Sequence, residues 1–190
     1  MGGIVGETRP GNTRLVEYGI QNEKSDYRAH VSVIAKRVYF FPTQIALDAV
    51  IGNRDQDGNY LYRKVPVNTN GIVTAEGFLV PPRDIDECQN VEIPEDIFEM
   101  AEFRQFDTTS EKGRKALVVV KEMLKRQLLE MSLDVKEISD EDMQVSGADI
   151  LVQLQARIQV KCDWNCGERK FGGTGNLFLQ VAECNPWGQH

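Results

Sequence analysis

The segment 148–162 alternates between apolar and polar side chains, and this alternation constrains the fold more than any other feature of the sequence. A period of two is expected of β-strands that bury one face against a core. The segment has fifteen residues, which exceeds a typical strand, so we expect a hairpin that turns near 153–156. The apolar or small positions are Ala148, Ile150, Val152, Leu154, Ala156, Ile158, Val160 and Cys162. The polar positions are Asp149, Gln153, Gln155, Arg157, Gln159 and Lys161, and Leu151 is the exception among them.

A long helix is predicted before this alternating segment. Thr108 and Glu111 have the three-residue spacing of a capping box, which marks a helix start. Apolar residues then recur at steps of three and four, as expected of a helix face that packs on a core; they are Leu117, Val120, Leu124, Leu128 and Met131. We expect the helix to end near 130–132, a short strand at 133–138, and a last strand at 176–183 after a glycine-bearing loop.

Residues 1–103 are predicted to be rich in strands. Four segments contain many β-branched or aromatic residues between Gly, Pro, Asn or Asp, namely 14–19, 30–41, 60–67 and 71–79. A short helix is expected at 43–50, because Pro42 suits a helix start. The sequence therefore predicts an α+β or α/β chain. Its core, 104–190, would have a mixed central sheet with a long flanking helix, and the β-rich region 1–103 would serve recognition or oligomerisation.

The segment 84–102 carries eight acidic residues and no basic one. We interpret it as an acidic connector between the two regions. A second interpretation is that it mimics DNA and covers a basic groove.

Several functional classes are excluded by composition. No apolar run approaches the ~18–20 residues of a membrane span, and no signal peptide is visible, so we expect a cytoplasmic protein with no membrane partner. The only histidines are His30 and His190, whereas serine and cysteine hydrolases need a positioned imidazole. His30 lies between apolar residues and is interpreted as structural. Hydrolytic chemistry is therefore expected to depend on carboxylates, lysine and a metal.

The net charge of −7 is unevenly distributed. The stretch 112–126 carries six basic residues and one acidic residue, and a local basic face can bind phosphates on an acidic protein. A solvated helix face explains the same pattern, and the sequence leaves both interpretations open. The candidate nucleic-acid-binding residues are Lys112, Arg114, Lys115 and Lys121 on the helix, and Arg169 and Lys170 in the glycine-bearing loop.

Asp149, Gln159 and Lys161 form the candidate catalytic group. Gln159 and Lys161 are two apart and share a strand face, and an adjacent strand can place Asp149 beside them. Phosphodiester hydrolysis needs an acidic group to hold a divalent cation, which lowers the pKa of a bound water. It also needs a cationic side chain to steady the developing charge. The alternative interpretation is a plain solvent-facing side of the sheet.

The runs GADILV at 147–152 and RIQVKCD at 157–163 resemble the D…(D/E/Q)xK signature of the PD-(D/E)xK, or restriction-endonuclease-like, nuclease superfamily. The resemblance covers roughly residues 105–187. It implies that Asp149 binds metal, that Gln159 takes the usual acidic ligand position, and that Lys161 orients or activates the water. Glu111 matches an acidic ligand near the start of the preceding helix. Ala148 stands where the motif has proline, and the superfamily's helix before the last strand is missing from the predicted order.

The resemblance implies an endonuclease that depends on Mg²⁺ or Mn²⁺ and acts on DNA, in restriction and defence, mobile elements or repair. A cut through both strands needs two active sites or one site acting twice, and a closed two-fold assembly is the commonest way to supply two. We therefore also predict a homodimer. The alternative function is a non-catalytic nucleic-acid-binding or assembly protein built on the same fold.

Overall fold

The computed structural model describes residues 15–16, 24–52, 54–69, 72–129, 135–137, 149–152, 156–164, 166 and 175–184. These ranges contain ten strands and three α-helices, which confirms an α+β chain with a mixed sheet. The strands are β1 (Leu15–Val16), β2 (Tyr27–Ser32), β3 (Arg37–Pro42), β4 (Lys64–Thr69), β5 (Ile72–Val80), β6 (Gln89–Glu92), β7 (Val135–Glu137), β8 (Ile150–Val152), β9 (Ala156–Cys162) and β10 (Leu177–Cys184). The helices are α1 (Thr43–Leu47), α2 (Glu95–Ala101) and α3 (Thr109–Leu129). None of the helices within these ranges is long and apolar enough to span a membrane.

The larger sheet has six strands in the order β6-β3-β2-β9-β8-β7. Strands β2 and β9 run parallel, and every other neighbouring pair in this sheet is antiparallel. The parallel pair joins segments that are far apart in the sequence. Asp26, just before β2, donates its N–H to the Arg157 carbonyl of β9, and its carboxylate accepts hydrogen bonds from the N–H and the guanidinium of Arg157. The predicted hairpin 148–162 is confirmed as β8 and β9.

Helices α2 and α3 cover one face of the six-stranded sheet. The shared core contains Val119 and Val120 of α3, Ile97 of α2, and Ile150 and Ile158 of the sheet, all buried. Alternate residues of a strand point to opposite faces, so the remaining strand residues face away from the helices. The apolar stripe predicted for the long helix is therefore confirmed for Leu117, Val120 and Leu124, which pack on this core, whereas the side chains of Leu128 and Met131 lie outside the described part of the chain.

The opposite face of the larger sheet packs against α1 and the smaller sheet, whose strand order is β1-β10-β5-β4. Tyr39 and Phe41 of β3 form this second core with Phe78 of β5 and with Leu177 and Leu179 of β10. The molecule thus has three layers, with the six-stranded sheet in the middle. A π-helical turn, Asp48–Gly52, follows α1 and contributes buried residues to the same core.

One strand was expected at 30–41, and this prediction is wrong. The segment forms two antiparallel strands, β2 and β3, joined by a turn at 33–36. Lys36 adopts a left-handed backbone with φ 49°. The Ser32 hydroxyl accepts a hydrogen bond from the Ala35 N–H at 3.1 Å and donates to the Cys166 carbonyl at 2.6 Å. Side-chain hydrogen bonding therefore stabilises a turn that contains no glycine, proline or asparagine.

The segment 84–102, interpreted as an acidic connector, is instead built into the fold. It contains edge strand β6 and helix α2, and its residues Ile93, Ile97 and Ala101 are buried in the core under α3. Four of its acidic side chains form ion pairs, Asp84 with Arg83, Glu95 with Lys36, Asp96 with Arg126, and Glu102 with Arg104. The acidic residues thus occupy the exposed positions of a segment whose apolar residues pack inward.

The expected last strand is confirmed as β10, but it does not join the sheet that contains β8 and β9. It pairs with β5 and β1 in the smaller sheet, and β2 lies beside β9 instead. The sequence placed a boundary between residues 103 and 104, and both sheets contain strands from either side of it. Most of the glycine-bearing loop before this strand, residues 165 and 167–174, lies outside the described residues.

Candidate active site

Asp149 and Gln159 are in direct contact. Asp149 immediately precedes β8, and its N–H donates to the Ile158 carbonyl at 3.0 Å. Its Oδ2 accepts two hydrogen bonds of 2.6 Å, one from Gln159 Nε2 and one from the Val160 N–H. The carboxylate is therefore fixed against β9 at the point where β8 begins.

Lys161 lies two residues beyond Gln159 on β9 and points to the same face. Ile158 and Val160, which alternate with Gln159 and Lys161 along β9, are buried under α3. Asp149, Gln159 and Lys161 thus share the face of the sheet that is turned away from α3, with Asp149 and Gln159 partly buried and Lys161 exposed. These three side chains therefore lie on one face of the sheet, as the alternation in the sequence predicted.

Glu111 is not brought together with the three strand residues. Its carboxylate accepts hydrogen bonds of 2.7 Å from both the N–H and the hydroxyl of Thr108, and its own N–H donates to Thr108 Oγ1 at 3.2 Å. These bonds hold the pKa of Glu111 below its usual range. The first turn of α3 does lie near the end of β9, because Lys112 Nζ is 4.4 Å from the Trp164 ring centroid. Glu111 nevertheless belongs to a helix that covers the opposite face from Asp149.

Strand β2 adds two residues that were not among the sequence candidates. The parallel register places Arg28 beside Gln159, and His30 beside Lys161. Both side chains are buried, with 2% and 1% exposure. The signal was present in the sequence: Arg28, His30 and Ser32 alternate with Ala29 and Val31, as in a strand between two layers.

The surroundings of His30 favour its neutral form. Burial lowers its pKa, nearby Asp163 opposes this effect, and the cations Arg28 and Lys161 lower the pKa further. Its Nδ1 lies 3.7 Å from Asp163 Oδ2, which is longer than a hydrogen bond. Neither ring nitrogen has a hydrogen-bond partner within the described part of the chain. This burial agrees with the expectation that His30 is a structural residue. The polar residues beside His30 nevertheless belong to the candidate site.

The basic stretch on α3 is largely neutralised by ion pairs. Lys115 pairs with Asp107, Lys121 with Glu137, Lys125 with Glu122, and Arg126 with Asp96. Lys112 and Arg114 have no ion pair among the residues that the structure describes. Of these two, Arg114 is exposed, whereas Lys112 is partly buried and lies over the Trp164 ring. Arg169 and Lys170 lie outside the described residues.

Oxygen donors for a cation are few at this site. The described ranges hold no cluster of three or more His, Cys, Asp or Glu side chains that would form a metal site by themselves. The available donors are the Asp149 carboxylate, the Gln159 side-chain carbonyl and the Val160 main-chain carbonyl. A strand residue directs its N–H and C=O to the same side, so the Val160 carbonyl points toward Asp149.

Comparisons of the chain with protein-family models, with curated proteins and with solved structures gave no match.

Proposed function

We propose that this chain is a metal-dependent nuclease with a restriction-endonuclease-like core that hydrolyses phosphodiester bonds in DNA. The observation that carries the proposal is the contact between Asp149 and Gln159, with Lys161 exposed on the same face. These residue types, in this order and on paired strands, match the D…QxK pattern of the PD-(D/E)xK superfamily. A helix that begins with a capping box precedes the three antiparallel strands, as the resemblance implies.

The donor set fits a magnesium ion. Mg²⁺ binds oxygen ligands, keeps several waters, and is usually held by one or two carboxylates together with substrate phosphates. Asp149 supplies the carboxylate, and the carbonyls of Gln159 and Val160 supply neutral oxygens. As the side chain is placed, Gln159 turns its NH₂ group toward Asp149, so its carbonyl oxygen is left for another partner. A bound Mg²⁺ or Mn²⁺ would polarise the phosphate and lower the pKa of a coordinated water.

Residues around Asp149 would position both the cation ligand and the attacking water. The Val160 N–H and Gln159 Nε2 hold the Asp149 carboxylate in one orientation, which reduces the motion of the principal cation ligand. The Lys161 ammonium would orient the attacking water and stabilise the negative charge that develops on the phosphate. In this proposal the three side chains would act on a substrate bound to the one face of the sheet that they share.

The proposed core departs from the resemblance in its connectivity. The strand beside β9 comes from residues 27–32 and not from the segment that follows Lys161. The nuclease core would therefore include β2 and β3 as well as 104–162, and β10 would serve the smaller sheet. Action on DNA, a homodimeric state, and a cytoplasmic location stay predictions of the sequence.

Plasmid nicking in Mg²⁺ tests the proposal. We expect the wild-type chain to nick supercoiled DNA, EDTA to abolish nicking, and Lys161→Ala to lower the rate at least about 100-fold, the effect of losing one charge-stabilising group. The matched control is Lys136→Ala, which removes an exposed lysine from edge strand β7. A folded Lys161→Ala protein that nicks at the wild-type rate would refute the assignment of the site.

A non-catalytic nucleic-acid-binding or assembly protein is the second candidate. It is favoured by the neutral Gln159 at a ligand position and by the two hydrogen bonds that already engage Asp149 Oδ2. Gel-shift binding without nicking, in Mg²⁺ or Mn²⁺, would support this candidate over the enzyme.

A further inference from the structure

His30 is a titratable residue enclosed between the two sheets. It is 1% exposed, and its neighbours in the six-stranded sheet are Tyr39 of β3 and Lys161 of β9. The centroid of its ring lies 5.2 Å from that of Phe41, a member of the core shared with the smaller sheet. A proton taken up by His30 would therefore place a positive charge between two packed layers, where an isolated charge is costly.

Asp163 connects His30 to the smaller sheet. Its N–H donates to the Val31 carbonyl at 3.0 Å, just beyond the last pair of β2 with β9. Its Oδ2 accepts a hydrogen bond of 2.8 Å from the Phe178 N–H of β10, and the same oxygen lies 3.7 Å from His30 Nδ1. One carboxylate oxygen thus bonds β10 to the end of β9 and lies within reach of a protonated His30. We call the hydrogen bond between Asp163 and Phe178 the sheet junction.

The charges around His30 are unequal in sign. Asp163 favours the protonated ring, whereas Arg28 of the same strand and Lys161 of β9 disfavour it. The residues of the smaller sheet that pack on this side, Phe78, Leu177 and Leu179, are apolar. Further titratable groups on the elements packed here are Arg37 and Tyr39 of β3, Asp48 after α1, Cys166, and Glu76 of β5, which pairs with Lys64. A protonated His30 would therefore have one anion and two cations as its principal charged neighbours.

We propose that the sheet junction is a pH-sensitive switch, in which protonation of His30 draws Asp163 away from the Phe178 N–H and loosens β10 from the end of β9. A protonated imidazole carries an N–H on both nitrogens, so the carboxylate that now bonds β10 becomes its counter-ion. Arg28 and Lys161 repel the same charge, and entry of water between the layers relieves this repulsion and the cost of burial. The switch does not depend on nuclease activity.

The direction of the pH effect follows from the burial of His30. Burial lowers the pKa of His30 while the junction is closed, so an opened form, in which the ring is solvated, binds the proton more tightly. Opening should therefore become easier as the pH falls below about 6.5, the pKa of a solvated histidine. The population of the opened form should rise by up to about tenfold per pH unit, and the rise should end below the pKa of the closed form.

Amide hydrogen exchange, measured by NMR on the full chain, tests the switch because the Phe178 N–H is itself the donor in the sheet junction. Its protection factor, corrected for the intrinsic exchange rate, should fall about 10- to 30-fold between pH 6.5 and pH 5. It should also stay at least about tenfold below that of Val119, a buried residue of α3 that reports global unfolding. His30→Gln should abolish the fall with pH. The matched control His190→Gln removes the other histidine of the sequence and should retain it.

The inference is overturned if the protection factor of Phe178 changes by less than twofold over this range. It is also overturned if that factor falls only together with an equal factor for Val119, because the junction would then open by global unfolding alone. A fall that persists in His30→Gln has the same consequence. If His30→Gln does not fold, the wild type decides: the Phe178 N–H resonance should shift with the same midpoint as the His30 imidazole, and a titrating His30 without that shift refutes the switch.

Discussion

Replacing Asp149 with alanine should destabilise the protein even when no metal is present. Its Oδ2 accepts two hydrogen bonds of 2.6 Å that tie the start of β8 to β9. A hydrogen bond to a charged group contributes about 1.5–3 kcal/mol, so two give roughly 3–6 kcal/mol. Asp149 is partly exposed, and water can satisfy part of what is lost, which lowers our expectation to about 2–4 kcal/mol. In a chain of this size, that loss corresponds to a Tm about 4–16 °C lower.

Asp149→Asn separates the structural role from the proposed catalytic role. The asparagine side-chain oxygen can still accept hydrogen bonds from Gln159 and Val160, so we expect a loss of stability of at most about 1 kcal/mol. The amide no longer carries the charge that holds a divalent cation, so nicking should fall to the level of Lys161→Ala. Urea unfolding followed by circular dichroism, together with the plasmid assay, measures both effects on the same protein.

The exposed residue Asp86 provides the control, because Asp86→Ala removes a carboxylate at the surface and should change stability by less than about 0.5 kcal/mol. If Asp149→Ala unfolds at the same urea concentration as Asp86→Ala, the two hydrogen bonds contribute nothing measurable. The reasoning from geometry to stability would then be refuted at this site.

Two further predictions concern His30 and Lys115. Burial lowers the pKa of His30, so the unfolded chain binds a proton at His30 more tightly than the folded chain does. The free energy of unfolding should therefore fall by up to about 1.4 kcal/mol for each pH unit below about pH 6.5. Urea unfolding measured from pH 7 to pH 5 should show this dependence of stability on pH in the wild type and a weaker dependence in His30→Gln. Identical pH dependences in the two proteins would exclude His30 as the cause. Lys115→Met removes the ammonium that bonds Asp107 and the Glu102 carbonyl, so chymotrypsin should cut after Phe106 several times faster. Unchanged cleavage would mean that the conformation of the loop 102–108 does not depend on Lys115.

Local signals in the sequence predicted the elements whose determinants lie close together in the chain. The Thr108–Glu111 capping box forms as expected, because both partners lie within one helical turn. Asp149, Gln159 and Lys161 lie on one sheet face because of the period of a strand, so this part of the candidate site was predictable. The elements α2 and β6 were not predicted, because the acidic composition of 84–102 suggested a connector. The buried residues Ile93 and Ile97 form an apolar pattern within that segment that indicates a packed element.

Pairing between distant strands could not be predicted in this way. The alternation in β2 shows a strand with two different faces, but nothing within residues 27–32 specifies β9 as its neighbour. For that reason Arg28 and His30 were not connected with Gln159 and Lys161. The same limit applies to β10: its apolar residues predict a strand, whereas its partner β5 depends on how the second core packs. The Ser32 turn was missed because its stabilising partner, Cys166, lies 134 residues away.

The parallel pairing of β2 with β9 has a consequence for how the chain reaches its structure. The contact between Asp26 and Arg157 closes a separation of 131 residues, and proteins that depend on such distant contacts fold slowly. During synthesis β2 and β3 can form a hairpin early, but the inner edge of β2 must wait for β9 to leave the ribosome. An unpaired strand edge can pair with other chains and lead to aggregation. The yield of folded protein should therefore rise under conditions that keep incomplete chains from meeting one another, such as slow expression at low temperature.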